Sequence, residues 1–372
     1  MLGLFVRKHI LALLPFIDPV VLYVHAGDLL TDKKREMVIT DEDGIKTYRV
    51  YYSNRGKGKC PLSPLIKTFR FFSSIRCGLK QVRTDWGKPD MVHVNILTRS
   101  GLPALYLKLF HGIPYLITEH WSRYMEANYA YTGWLRKLLT RVIVRSSSAI
   151  TVVSEALRDS MISEGLKNEY FIIPNVIDTE NFIPTDVPTS PKKTFTHISC
   201  FENRSKNISG LIHAVNLLSA ERDDFTLNLV GEGADLMQMK QMSDQLGLTD
   251  NIILFKGLLE NEDLNQCINQ SVATILFSNY ETFGIVLLES MACGVPVIST
   301  KTGIMPGIYQ DFMGLMVDVK NEQQLIDAMK VFLNGEFETD SKKLRDFVVK
   351  NYSYDKVGKQ FLTIYKSILG DK

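Results

Sequence analysis

Residues 272–299 read VATILFSNYETFGIVLLESMACGVPVIS. The apolar run 272–277 has the length and composition of a short buried strand. Positions 278–282 are polar and read as a loop. Positions 283–292 have the length and apolar spacing of a packed helix, and Cys293-Gly294 ends it with glycine at the C-terminal cap. Positions 295–298 form the next strand, where Pro296 sits early and its missing N–H does least harm. A strand, a helix and a second strand in this order make a parallel crossover unit. The start of that helix offers unpaired backbone N–H groups near Phe283, Gly284 and Ile285, a good seat for phosphate. Gly284 has no side chain to keep a ligand away. Glu281 lies just before the helix. Glu289 lies inside it among Leu287, Leu288, Met291 and Ala292, where an unpaired charge is costly. Two solvated glutamates on an ordinary helix are the plain alternative, and the setting of Glu289 weighs against it.

Glu281-Thr282-Phe283-Gly284 followed by Glu289 resembles the paired-glutamate motif of retaining, nucleotide-sugar-dependent glycosyltransferases of family 4. That resemblance implies the GT-B fold: α/β, with two Rossmann-like doubly wound domains facing across a cleft. It implies that Glu281 holds sugar hydroxyls and Glu289 holds ribose hydroxyls.

Composition sets the outer bounds. The chain has 372 residues, 45% hydrophobic and 23% charged, which suits two ordinary globular domains. A net charge of +2 makes no general demand for nucleic acid. Cys60, Cys77, Cys200, Cys267 and Cys293 are scattered and odd in number, which fits neither a disulfide framework nor a metal site and suits a reducing cytosol. No apolar run reaches the ~20 residues of a membrane-spanning helix. The N-terminal stretch 2–24 carries Arg7, Lys8 and Asp18 and lacks a cleavage pattern, so neither signal peptide nor anchor is expected. A cytoplasmic protein follows, with contact at the inner membrane face as an option.

Taken in order, a helix is expected over 3–14 and strands over 20–24, 37–39 and 47–52, with Asp43-Gly44 as a hairpin turn. Then come a helix over 61–80, a strand over 91–95, a helix over 102–110 and a strand over 114–118. A basic helix over 134–145 and short strands at 149–153 and 171–173 follow. The family resemblance implies a strand and a glycine-bearing loop before the first helix, yet only Met1 and Leu2 precede Gly3. The first domain is therefore expected to lack its first strand, and a native N-terminal extension is the expectation that would repair it. Pro174-Asn175-Val176-Ile177-Asp178, running on to Phe182, resembles the family's closing run of the first domain, with Val176 in place of a glycine. The boundaries expected are a first domain at 1–183, a linker at 184–193, a second domain at 194–353, and a helix at 354–372 crossing back to the first.

Further candidates follow from position. Lys206 is expected at the start of a helix spanning 206–218, and the resemblance implies that it grips the donor diphosphate. Arg204 lies two residues earlier, where the family's arginine is displaced; an exposed loop cation is the plain alternative. His120 ends the run 116–120 at the carboxyl end of a strand, where open α/β sheets meet ligands. The resemblance implies that it faces the donor sugar. His93 and His197 lie in strands and are expected to be packed. Gly231-Glu232-Gly233 follows a strand and resembles the family's turn beside the nucleotide base, although a short glycine motif is more often only a turn. It lacks the full dinucleotide fingerprint. The loop 302–307 carries Gly307 where the family has a glutamate. No cofactor and no metal are expected. The basic helix at 134–145 would suit an anionic membrane, but the expectation is a domain helix with its apolar face on the sheet and its basic face in water.

The expected activity is transfer of a sugar from a nucleotide-diphosphate donor to a saccharide or lipid-linked saccharide acceptor, with retention, in bacterial surface polysaccharide or glycolipid synthesis. A nucleotide-sugar epimerase of GT-B fold and a non-catalytic binding subunit are the alternatives.

Overall fold

The computed structural model describes residues 3–27, 35–53, 63–128, 130–186 and 192–370. The first half carries β1 (Val20–Gly27), β2 (Arg35–Glu42), β3 (Ile45–Ser53), β4 (Val92–Asn95), β5 (Tyr115–Glu119), β6 (Ala149–Val152) and β7 (Tyr170–Ile172). The second half carries β8 (Lys193–Ile198), β9 (Phe225–Val230), β10 (Ile253–Gly257), β11 (Ala273–Leu276), β12 (Val297–Thr300) and β13 (Gly314–Val317). Strands β8 to β13 form one parallel sheet in the order β10-β9-β8-β11-β12-β13. The reversal of direction lies between β8 and β11, so their carboxyl ends open a crevice of the kind that binds ligands in doubly wound sheets.

The first half departs from a single doubly wound sheet. Its strands divide into β1-β3-β2 and β4-β5-β6-β7. Strand β1 pairs with β3 in parallel, and β2 returns on β3 as a hairpin with Asp43 and Gly44 both at positive φ. Among the described residues β1 has β3 as its sole strand partner and β4 has β5. Among the described residues no strand joins the two sheets.

Three apolar clusters hold the molecule together. One lies in the second half around Phe195, Leu211, Leu227 and Ile275. A second runs through both halves, from Val94, Ile117 and Ile150 to Leu276, Phe283 and Met305. The third is built by the last helix, Tyr354–Leu369, whose Val357, Phe361, Ile364 and Tyr365 pack on Ala12, Leu13, Leu116 and Val176. That helix lies against the first helix, Leu4–Leu13, so close that a Cβ on Gly358 would stand 2.1 Å from the Ala12 carbonyl oxygen.

Several local expectations shift. Helix Ser63–Trp86 runs past position 80, and helix Leu97–His111 begins five residues before 102. Helices Glu155–Ser163 and Leu236–Gln245 were not anticipated. The expected helix over 206–218 is two: Asn203–Lys206, then Ile208–Ser219, broken at Asn207 with φ of 49°. Lys206 therefore ends a short turn rather than starting the long helix. Helix Trp134–Ser146 keeps Arg136 and Arg145 exposed, as expected, but buries only part of its apolar surface. Thr140, Ile143 and Val144 are buried, while Leu135, Leu138, Leu139 and Val142 are exposed. Of the proposed linker, positions 187–191 lie outside the described residues, as do Met1 and Leu2, and positions 61 and 62 of the expected second helix.

Candidate active site

The second-half wall of the cleft is built by the chain leaving β11. Its loop is folded back by Thr300, whose hydroxyl donates to the Ser278 carbonyl at 2.8 Å, and by the Ile304 N–H, which donates to the Phe283 carbonyl at 2.9 Å. Within that loop the Glu281 carboxylate accepts from the Ser278 hydroxyl at 2.7 Å and from the Lys206 ammonium at 2.5 Å. Both members of the ion pair are mostly buried, so the pair is held in place rather than waving in solvent.

The helix begins at Ile285, two residues later than expected, because Gly284 takes a left-handed φ of 88° as its N-cap. The space around Gly284 would admit a Cβ at ordinary contact distance, so the conformation itself requires glycine. No side chain caps the helix start, which leaves first-turn N–H groups to meet an anion. Phe283 has a different task. Its ring is buried against Tyr352, so only its backbone can face a ligand.

Glu289 lies on the same helix, 8% exposed. Its Oε1 stands 3.7 Å from the Lys8 ammonium on the first helix of the chain. Burial pushes the Glu289 carboxyl above the usual range, and Lys8 opposes that shift.

The Gly231-Glu232-Gly233 turn follows β9 and packs on the backbone leaving β8. The Phe201 N–H donates to the Glu232 carbonyl at 2.9 Å. A Cβ on Gly231 would stand 2.0 Å from the Ser199 carbonyl oxygen, and one on Gly233 would stand 2.5 Å from the Phe201 nitrogen. Both positions need glycine because two main chains touch there. Arg204 is carried elsewhere: its guanidinium donates to the Asn128 carbonyl at 2.7 Å, across in the first half, and does not join Lys206 and Glu281.

On the first-half wall, His120 follows β5. Its loop is anchored by the fully buried Glu119, which accepts from the N–H groups of Leu97, His120 and Trp121 at 3.1, 2.9 and 3.0 Å. Burial raises the Glu119 carboxyl, and those three N–H groups with Arg123 oppose the shift. The His120 ring lies on Phe5, with centroids 4.4 Å apart, and beside His9 at 5.4 Å. Burial drives His120 well below the usual histidine range, His9 and His93 add to this, and Asn175 works against it. It is a neutral imidazole at pH 7, and neither ring nitrogen has a hydrogen-bond partner among the described residues. His93 and His197 are packed as expected: His93 is held by Tyr365 and Thr118, and His197 by the Ile275 carbonyl and Ser199.

The two walls meet. Ser154, at the end of β6, donates to the Thr282 carbonyl at 2.6 Å, beside the Arg204 and Lys8 contacts. Among the described residues no group of three His, Cys, Asp or Glu stands together as a metal site. The sequence reading passed over Lys8, Glu119 as an anchor, and Ser278. Glu119 carried a signal, a carboxylate at a strand's carboxyl end beside a candidate histidine. Lys8 carried none, since a lysine in a helix ordinarily reads as surface.

Comparison with known proteins gives a consistent picture. A family model described as Glycosyltransferase Family 4 matches residues 20–181, and one described as Glycosyl transferases group 1 matches residues 179–352. The N-acetyl-alpha-D-glucosaminyl L-malate synthase of Bacillus anthracis is 29% identical over 246 residues, covering 63% of this chain and 63% of the relative. The chain thus matches about six-tenths of the length of such curated relatives. Among solved structures, sucrose-phosphate synthase from Thermosynechococcus elongatus superposes with a TM-score of 0.78 at 20% identity, covering 99% of this chain and 93% of the other. Anabaena HepE in complex with UDP and glucose superposes with a TM-score of 0.69 at 17% identity, covering 87% of each chain.

Proposed function

This chain belongs to the glycosyltransferases of group 1 and family 4, with the two-domain GT-B fold, and from that premise we propose that it moves a sugar from a nucleoside diphosphate sugar to an acceptor hydroxyl with retention of anomeric configuration. The observation that carries the reading is the buried Lys206–Glu281 pair beside an uncapped helix start at Ile285. An arriving diphosphate draws the Lys206 ammonium away from Glu281 and rests on the first-turn N–H groups. Glu281, released, accepts from hydroxyls of the transferred sugar. Glu289 accepts from the ribose, and the Gly231–Gly233 turn lies beside the base. Neutral His120 offers the sugar a donor and an acceptor from the opposite wall.

In the reaction the bond from the anomeric carbon to the diphosphate oxygen breaks, and the bond to the acceptor oxygen forms on the same face. The acceptor's proton passes to the leaving diphosphate. The protein contributes position and charge stabilisation rather than a nucleophile. HepE, whose complexes contain UDP and UDP-glucose, supports a nucleotide-sugar donor.

Two features of the first half bear on the acceptor. A hollow of about 370 Å³ is lined by Trp121, Arg123, Asn128 and Arg136, next to the His120 loop. Beyond it, helices Leu97–His111 and Trp134–Ser146 contain no acidic residue and expose Leu109, Phe110, Trp134, Leu135, Leu138 and Leu139 beside Arg136 and Arg145. That surface suits a lipid-linked acceptor at an anionic membrane. No helix among the described residues is long and apolar enough to cross one. The test of the transfer is product analysis. Incubation with donor sugars and short-chain lipid-linked saccharides yields an axial or equatorial linkage matching the donor's anomer, read by NMR. Release of an altered sugar without any acceptor contradicts it. For the surface, the wild type sediments with vesicles containing phosphatidylglycerol, and Leu135→Glu/Leu138→Glu loses at least tenfold in affinity, since each buried leucine contributes about 1.5–3 kcal/mol. Equal sedimentation of both proteins contradicts the membrane reading.

A further inference from the structure

We propose that Lys8 is a positioning residue for the nucleotide, reaching from the first domain to hold the Glu289 carboxylate in place for the donor's ribose. The inference rests on the reading of Glu289 as the ribose-binding carboxylate and adds a partner that the motif does not contain.

The geometry carries it. Lys8 and Glu289 come from helices at opposite ends of the chain, Leu4–Leu13 and Ile285–Ala292, and meet at 3.7 Å with side chains only 11% and 10% exposed. Lysine is almost never fully buried without a partner. Here it occupies the buried face of its helix alongside His9, Ala12 and Leu13, where an apolar residue would cost less unless the charge has work to do. The ammonium reaches one carboxylate oxygen. Among the described residues no hydrogen bond engages the other, which is left to accept from a hydroxyl.

The groups around Glu289 explain why a cation is needed. Lys8 faces it from the first helix and Asp178 from the segment before the second half, while Cys293 follows one turn later on its own helix. Burial and Asp178 both favour the protonated acid, and Lys8 alone of these favours the anion. A protonated Glu289 would lose acceptor capacity and gain a proton with nowhere fixed to go. Lys8 thus keeps the ribose site an acceptor, and it ties the geometry of that site to the position of the first domain.

The test measures dissociation constants of the tightest-binding nucleoside diphosphate from pH 6 to 8.5. The proteins are the wild type, Lys8→Met, Lys8→Arg, Glu289→Gln and the Lys8→Met/Glu289→Gln double variant. Glu289→Gln is expected to weaken binding about tenfold or more at every pH, one such factor corresponding to about 1.4 kcal/mol. Lys8→Met is expected to weaken it about tenfold at the acid end of the range and less at the alkaline end, because loss of the cation pushes the buried carboxyl further up. Lys8→Arg restores the wild-type profile, and the double variant binds no worse than Glu289→Gln. Should Lys8→Met fail to fold, Lys8→Gln takes its place. Glu289→Gln binding as tightly as the wild type overturns the reading of Glu289 itself. A weakened Glu289→Gln alongside a Lys8→Met that matches the wild type, or that is weakened equally at every pH, overturns the role of Lys8 alone.

Discussion

Lys206 and Glu281 neutralise each other on the wall of the cleft, and that pairing gives a sharp expectation for each. On the proposed reading a donor must separate them, so Lys206→Ala removes the cation assigned to the leaving diphosphate and leaves Glu281 repelling it. Turnover should fall by about 10²–10³, the typical loss of one preorganised donor at a developing negative charge, and the unfolding midpoint should fall as well, because the mostly buried Glu281 carboxylate loses its cation. Single-turnover kinetics on the variant checks this, and a loss below about threefold contradicts the assignment. These two residues were legible in the sequence because a motif fixes their neighbours. Lys8 and Glu119 were not. Lys8 is buried because its helix sets the ammonium beside Glu289 and over the Phe182 ring, and Glu119 is satisfied by three backbone N–H groups. Both facts belong to tertiary structure. Arg204 shows the converse: its spacing suggested a phosphate ligand, while the fold turns its guanidinium to a carbonyl of the opposite half.

At the level of elements, β11 and β12 could be read directly because their apolar runs are too short for helices and are bounded by polar loop and glycine signals. Helix Leu236–Gln245 was missed since methionine and glutamine leave weak periodicity, and Trp134–Ser146 was placed correctly but buries less of its apolar surface than expected. Its buried face is narrow, only Thr140, Ile143 and Val144, so the apolar stripe at 135, 138, 139 and 142 is left over for solvent or a surface. The crossing of the first and last helices depends on Gly358. Alanine there would gain about 1 kcal/mol in helix propensity, but its Cβ would stand 2.1 Å from a backbone carbonyl oxygen that cannot rotate away. The clash wins, and Gly358→Ala should destabilise the protein by about 1–3 kcal/mol, read from the denaturation midpoint. A variant as stable as the wild type contradicts this packing.

For the molecule as a whole, buried histidines make stability depend on pH. His197 is lowered to about 4 and His9 to about 4, in both cases chiefly by burial. Each is neutral in the fold and free to protonate near 6.5 when unfolded, so the unfolded state binds more protons between those values. Stability is therefore full above about pH 6.5 and falls as the pH drops towards 4. For His197 alone the loss at pH 5 is about 2 kcal/mol. The buried carboxyls Glu119 and Glu289 are raised and act in the opposite sense as the pH falls towards their range. Urea denaturation at pH 7 and pH 5 measures the balance, and His197→Gln should flatten the slope; an unchanged slope contradicts the assignment. The two-half architecture could be anticipated from the order of strands and helices, whereas the contacts that lock the halves together, Ser154 to Thr282 and Lys8 to Glu289, could not. The central claim is that the cleft seats a nucleoside diphosphate between Lys206, the helix start at Ile285 and Glu289. Calorimetric titration with uridine, guanosine, adenosine and cytidine diphosphates tests it most directly. One base should bind the wild type, with at least a tenfold loss in Lys206→Ala and in Glu289→Gln. Binding of none, or binding that neither substitution weakens, would contradict the account.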